Sequence, residues 1–108
     1  MADDPQFKVG PSVIQTIDGT ERRLDATPLS EVCGYPMRVQ LRAVTEGCYI
    51  RQGSATVTLH ATAAQNASLG AGEWQLMDVT GPGDAHVAVE RTGAGTGTLV
   101  ATRIDRVA

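Results

Sequence analysis

The chain reads as an all-β domain: a single antiparallel β-sandwich or small barrel of about seven to eight short strands, in jelly-roll-like or meander order. Three observations carry that expectation. Short segments alternate apolar and polar side chains with a period of two. Turn-forming clusters separate them at roughly 8–12-residue spacing. The stretch from Leu69 to Ile104 holds three such segments, divided by glycine-rich turns, with no helical periodicity. At 108 residues there is room for one core and not two. Aromatics make up only 4% of the chain, so Val, Leu, Ile and Ala must fill that core.

Residues 1–11 are polar, contain Pro5 and Pro11, and show no periodicity. They read as an N-terminal arm without a strand of its own, ahead of a sandwich over 12–108. Such an arm is either a frayed terminus or a segment that crosses onto a neighbouring surface. Ser12 to Ile17 is β-branched and strand-like, and Asp18-Gly19 after it predicts a hairpin turn returning through Thr20 to Asp25. Residues 26–36 read as an irregular connection, with one helical turn over Thr27–Glu31 and Pro28 near its start.

From Met37 to Val44 the alternation is clean: Met37, Val39, Leu41 and Ala43 on one face, Arg38, Gln40 and Arg42 on the other. Glu46-Gly47 turns the chain into a strand with Cys48, Ile50 and Gln52 in one phase. Gly53-Ser54 turns it again into Ala55, Val57 and Leu59, alternating with Thr56, Thr58 and His60. These three segments predict an antiparallel meander. Residues 62–72 read as a loop of small residues. Glu73 to Val79 is a strand with Trp74 and Leu76 on one face and Gln75, Met77 and Val79 on the other. The Thr80-Gly81-Pro82-Gly83-Asp84 cluster is a turn. His86 to Glu90 turns Val87 and Val89 inward, Gly93 to Gly97 reads as a hairpin loop, and Thr98 to Ile104 is the final strand.

Chemistry-bearing residues are few. A net charge of −3, one lysine and scattered arginines argue against nucleic acid. No apolar run approaches the roughly 20 residues that span a bilayer. The acidic start, without a hydrophobic signal core, predicts synthesis and folding in a cytoplasm, with Cys33 and Cys48 reduced. Asn66-Ala67-Ser68 matches a glycosylation sequon and reads as loop composition. His60 and His86 lie on separate segments without metal-ligand spacing, so no metal site is expected. There is no G-x-S-x-G elbow. Cys48, in phase with Ile50, reads as a small core hydrophobe, and Cys33 lacks a base within sequence reach. Asp78, Glu73 and Glu90 could include an acid–base pair, though acids on a solvated face are the simpler reading. Trp74 and Tyr49 could form a sugar-stacking platform, yet a lone Trp in phase with Leu76 reads as a core anchor. No catalytic residue and no cofactor are expected.

Three stretches carry a resemblance: Cys48-Tyr49-Ile50-Arg51-Gln52-Gly53-Ser54, Leu69-Gly70-Ala71-Gly72-Glu73-Trp74 and Gly97-Thr98-Leu99-Val100-Ala101-Thr102. Across residues 37–104 the chain resembles small β-sandwich virion proteins of tailed bacteriophages, of the capsid decoration (cement) type. The resemblance implies a non-enzymatic virion protein made in the host cytoplasm and seated on the outer capsid surface. It also implies a homo-oligomer, a trimer by expectation, that binds the major capsid protein. Asp3, Asp4, Pro5, Gln6, Phe7 and Lys8 of the arm, with Gln65, Asn66, Gly93 and Gly95 of the loops, are the expected contact residues. A neck, tail or baseplate component and a small carbohydrate- or ligand-binding β-module are the alternatives.

Overall fold

The computed structural model describes residues 6–31 and 33–107. Among these, eight strands form: β1 (Gln6–Ile17), β2 (Arg22–Asp25), β3 (Met37–Val44), β4 (Cys48–Gly53), β5 (Ala67–Leu69), β6 (Trp74–Val79), β7 (His86–Arg91) and β8 (Gly97–Val107). They make two four-stranded sheets, ordered β1-β8-β3-β6 and β2-β7-β4-β5, with every pairing antiparallel. That interleaving is the jelly roll. Of the seven steps along the chain, only β4 to β5 stays within a sheet.

The core follows the predicted alternation. Met37, Val39, Leu41 and Ala43 of β3 point between the sheets and are buried, and Cys48, Ile50, Val87, Val89, Leu99 and Ala101 meet them. One buried cation joins them. Arg103, only 3% exposed, faces inward from β8 and donates through its Nη1 to the carbonyls of Leu29 (3.0 Å) and Gly34 (2.9 Å). It thereby anchors the 3-10 turn at Thr27–Glu31, which forms where the sequence places it.

Several connections depart from expectation, and the jelly-roll crossing explains most of them. Asp18-Gly19 is not a hairpin turn: β1 pairs with β8 and β2 with β7, and neither turn residue has positive φ. The Asp18 carboxylate instead holds a corner between the sheets. It accepts from the Thr20 amide at 3.0 Å and from Arg22 Nη2 at 2.8 Å. The meander does not form either, because β3 pairs with β6 and β8, and β4 with β5 and β7. Nor is Gly93 to Gly97 a hairpin loop, since β7 and β8 lie in different sheets.

Residues 55–60 are not a strand. They run as a strap over the outer face of the second sheet. Arg23 donates to the carbonyls of Val57 (2.9 Å) and Ala55 (2.6 Å), and Arg51 to that of Thr58 (3.1 Å). Both arginines are register partners of Ala88, whose side chain faces outward yet is fully buried beneath the strap. The 62–72 stretch, expected to be all loop, contains β5. The arm expected to lack a strand enters β1 at Gln6. Pro11, which cannot donate to a ladder, is accommodated by a bulge: Gly10 and Pro11 together oppose Arg103 alone.

A candidate interaction surface on the outer face of one sheet

Strand register lines up the outward side chains of the β1-β8-β3-β6 sheet in rows. Ile14, Val100, Arg42 and Trp74 form one row across all four strands. Ser12, Thr102, Gln40 and Leu76 form the next, and Ile104, Arg38 and Asp78 the one beyond. The large apolar members stand in water: Ile14 is 70% exposed, Trp74 56% and Leu76 45%, with Val44 also exposed. Isolated exposed apolar residues are ordinary, but here Trp74 and Leu76 neighbour each other on β6, and Ile14 and Val100 on β1 and β8, with Arg42 between the two pairs on the same sheet face.

Trp74 corrects the core-anchor reading. The predicted phase is right, but Met77 and Val79 are the buried pair and Trp74 and Leu76 the solvent pair. Beside Trp74, a shallow hollow of about 280 Å³ is lined by Arg38, Gln40, Leu76 and Ile104. A second groove of about 460 Å³ runs past Trp74 along Ser68, Leu69, Gly72, Glu73 and Gln75.

Among the described side chains the charge on this face is sparse. Arg38 pairs with Asp78 at 3.0 Å, which leaves Arg42 as a cation with no acid facing it in its own row. The remaining polar groups are hydroxyls and one amide, with Ser12 and Thr102 hydrogen-bonded to each other at 2.7 Å.

The second sheet offers a different surface. Tyr49, His60, Glu21, Glu90 and Asn66 line a hollow of about 280 Å³ beside the strap. His60 and Glu21 are exposed and Glu90 half-buried, so His60 does share a groove with carboxylates. That exposure supplies little of the burial that tunes a general acid or base. His86 Nε2 lies 3.3 Å from Asp25 Oδ1, with Nδ1 buried and without a hydrogen-bond partner among the described residues. Among the described residues, no three His, Cys, Asp or Glu side chains converge to hold a metal ion. Cys33 and Cys48 are both free thiols. Burial pushes the Cys48 thiol up to about 11, away from the thiolate that nucleophilic chemistry needs.

The residues expected to make contacts are not gathered into one surface. Asp3, Asp4 and Pro5 lie outside the described residues. Gln6, Phe7 and Lys8 pair through their backbones with Val107, Arg106 and Asp105. Gly93 and Gly95 lie at the other end of β8, over Glu46, whose carboxylate accepts the Gly95 amide at 2.6 Å. Gln65 belongs to a short 3-10 turn beside β5, and the Asn66 carboxamide accepts the His60 amide at 2.8 Å. The row through Trp74 was missed because alternation assigns two faces without saying which one is wet. Comparison of this chain with protein-family models, curated proteins and solved structures finds no match.

Proposed function

We propose that this chain is a non-enzymatic structural protein of a phage virion, a decoration protein that docks on the major capsid protein. The observation that supports docking is the row Ile14–Val100–Arg42–Trp74, with Leu76 beside it, on an open sheet face. Among the described side chains, a face carrying few charges, an exposed Trp74 and an Arg42 with no acid in its row has residue types enriched at protein–protein contacts. The virion context rests on the resemblance of residues 37–104. In this reading the capsid surface presents an acidic group to Arg42 and an apolar shelf to Trp74 and Ile14. Many copies on a lattice make weak individual contacts sufficient.

The test is the copy number of the chain in purified virions, by quantitative mass spectrometry against the major capsid protein. Decoration predicts a ratio near one to one. A few copies per hundred would relocate the protein to the neck, tail or baseplate, and absence from particles would overturn the proposal.

A second reading, a carbohydrate-binding β-module, is favoured by the exposure of Trp74 beside a hollow that offers Arg38 and Gln40 as polar partners. A shift of Trp74 fluorescence with a glycan, with loss of glycan binding by calorimetry in Trp74→Ala, would select it. Silence across a glycan panel would remove it.

A further inference from the structure

A jelly roll leaves four edge strands, and here they are protected unequally. An open edge presents unpaired N–H and C=O groups that invite another strand, and proteins blunt such edges with charge, shortness, proline or bulges. β1 carries the Gly10-Pro11 bulge. β2 is four residues long and mostly charged, and its Arg23 carbonyl is taken by the Gln15 side chain at 3.0 Å. β5 has only three residues. β6 has none of these devices along Trp74, Gln75 and Leu76.

The direction of its free groups follows from the ladder. Ala43 donates to the Glu73 carbonyl at 3.1 Å and accepts from the Gly72 amide at 2.7 Å. Alternation then turns the N–H and C=O of Gln75, Met77 and Val79 toward β3, and those of Trp74, Leu76 and Asp78 away from it. At the far end the Gln52 carboxamide already occupies the Asp78 carbonyl at 2.8 Å. The open stretch is therefore Trp74 to Leu76, centred on Gln75.

We infer that this stretch pairs with the same stretch of a second copy of the chain, antiparallel about a two-fold axis at Gln75. Three features favour a second copy over a foreign strand. The stretch is self-complementary, because the two-fold sets Trp74 opposite Leu76 of the second copy, and Leu76 opposite its Trp74. Each such pair exchanges both backbone bonds, giving about four new hydrogen bonds. On the opposite face the two Gln75 carboxamides meet at the axis, and a carboxamide is both donor and acceptor. No charge is brought against its like, since Asp78 falls outside the paired stretch. Because a two-fold contact uses the same edge of both copies, the association closes at two copies. The product is a two-fold dimer, in place of the expected trimer. Its two outer faces join into one eight-stranded surface. The inference holds whether or not the partner beyond that surface is a capsid.

Analytical ultracentrifugation of the full chain, from about 10 μM to about 1 mM, tests it; that window suits a small interface. A monomer–dimer equilibrium is expected, with Trp74 emission moving to the blue as the dimer fills. Leu76→Lys and Gln75→Glu should each weaken the dimer about tenfold or more, the second by setting two carboxylates on the axis. Leu76→Pro, which removes an N–H that points out of the molecule, should abolish it. Thermal melts of the same variants at low concentration confirm that the monomer still folds; Gln75→Glu carries the test if either Leu76 variant fails to. A chain monomeric throughout, a trimer, or a dimer indifferent to Gln75→Glu would overturn the inference.

Discussion

Cys33 and Cys48 occupy opposite environments, and a thiol reagent reads the difference. Cys33 is exposed, while Cys48 is buried with its thiol pushed up to about 11. In native protein at pH 8 one thiol per chain should be alkylated, and in urea two. Two fast-reacting thiols in native conditions would contradict the burial of Cys48. Arg103 is the buried polar side chain among the described residues. Arg103→Ala strips the Leu29 and Gly34 carbonyls of a buried donor and should cost about 2–3 kcal/mol in urea unfolding. Trp74→Ala, on the solvent face, should move stability by about 0.5 kcal/mol or less. The burial of Cys48 was legible because Ile50 shares its phase. Arg103 was not: an inward arginine in a β8 pattern looks like a break in alternation until the turn it anchors is in view. Trp74 failed for another reason. Its strand is apolar in both phases, Trp74 and Leu76 against Met77 and Val79, so periodicity defines two faces and cannot choose between them.

At the scale of elements, the strap over the second sheet offers a direct test. A Cβ added at Gly53 would lie 2.7 Å from the Val57 side chain. Gly53→Ala should therefore lift the strap and speed amide exchange and proteolysis across 55–60. Arg23→Ala combined with Arg51→Ala should do the same by releasing the carbonyls of Ala55, Val57 and Thr58. Unchanged protection in both variants would mean that something other than these contacts holds the segment. Strands with clean alternation, β3 and β7 above all, were legible to within a residue or two. The strap was misread because Ala55, Val57 and Leu59 alternate as a strand would, with no ladder partner within reach. β5 was missed because Ala67-Ser68-Leu69 is too short to show any period. The connections were the least legible part. Asp-Gly and Glu-Gly signal a reversal of direction equally well within a sheet and between sheets, so local turn chemistry could not tell a meander from a jelly roll.

For the whole molecule, pH dependence follows from three carboxylates. Partial burial pulls Asp84 and Asp25 upward. In Asp84 the hydrogen bonds from Thr80 and Gly81 outweigh it, and in Asp25 those from Thr27 together with nearby His86 do so. Asp18 is held low chiefly by its hydrogen bond with Arg22. All three thus sit below their ordinary value in the folded chain. Their contribution is present above the unfolded carboxylate range, near pH 4, and fades as pH falls through the lowered folded values. The thermal midpoint should fall as the pH is taken below about 4. On the alkaline side the raised Cys48 thiol works in the opposite sense: stability declines from about pH 9 upward, as the unfolded thiol ionises and the folded one does not. A midpoint flat from pH 3 to pH 5 would contradict the roles given to Asp18, Asp25 and Asp84.

The position of β8 also dictates when the molecule can assemble. It is the last of the eight strands to be synthesised, yet it lies between β1 and β3, and neither pairs with the other. On the ribosome, β1 must wait as an unpaired strand through the making of nearly the whole chain, and β2 likewise until β7 emerges. The first sheet therefore cannot close until β8 has been made, and pairings this distant in sequence give a high contact order and slow folding for a domain of this size. Chains released before β8 is made would expose β1 and β3 together, a ready substrate for chaperones and proteases.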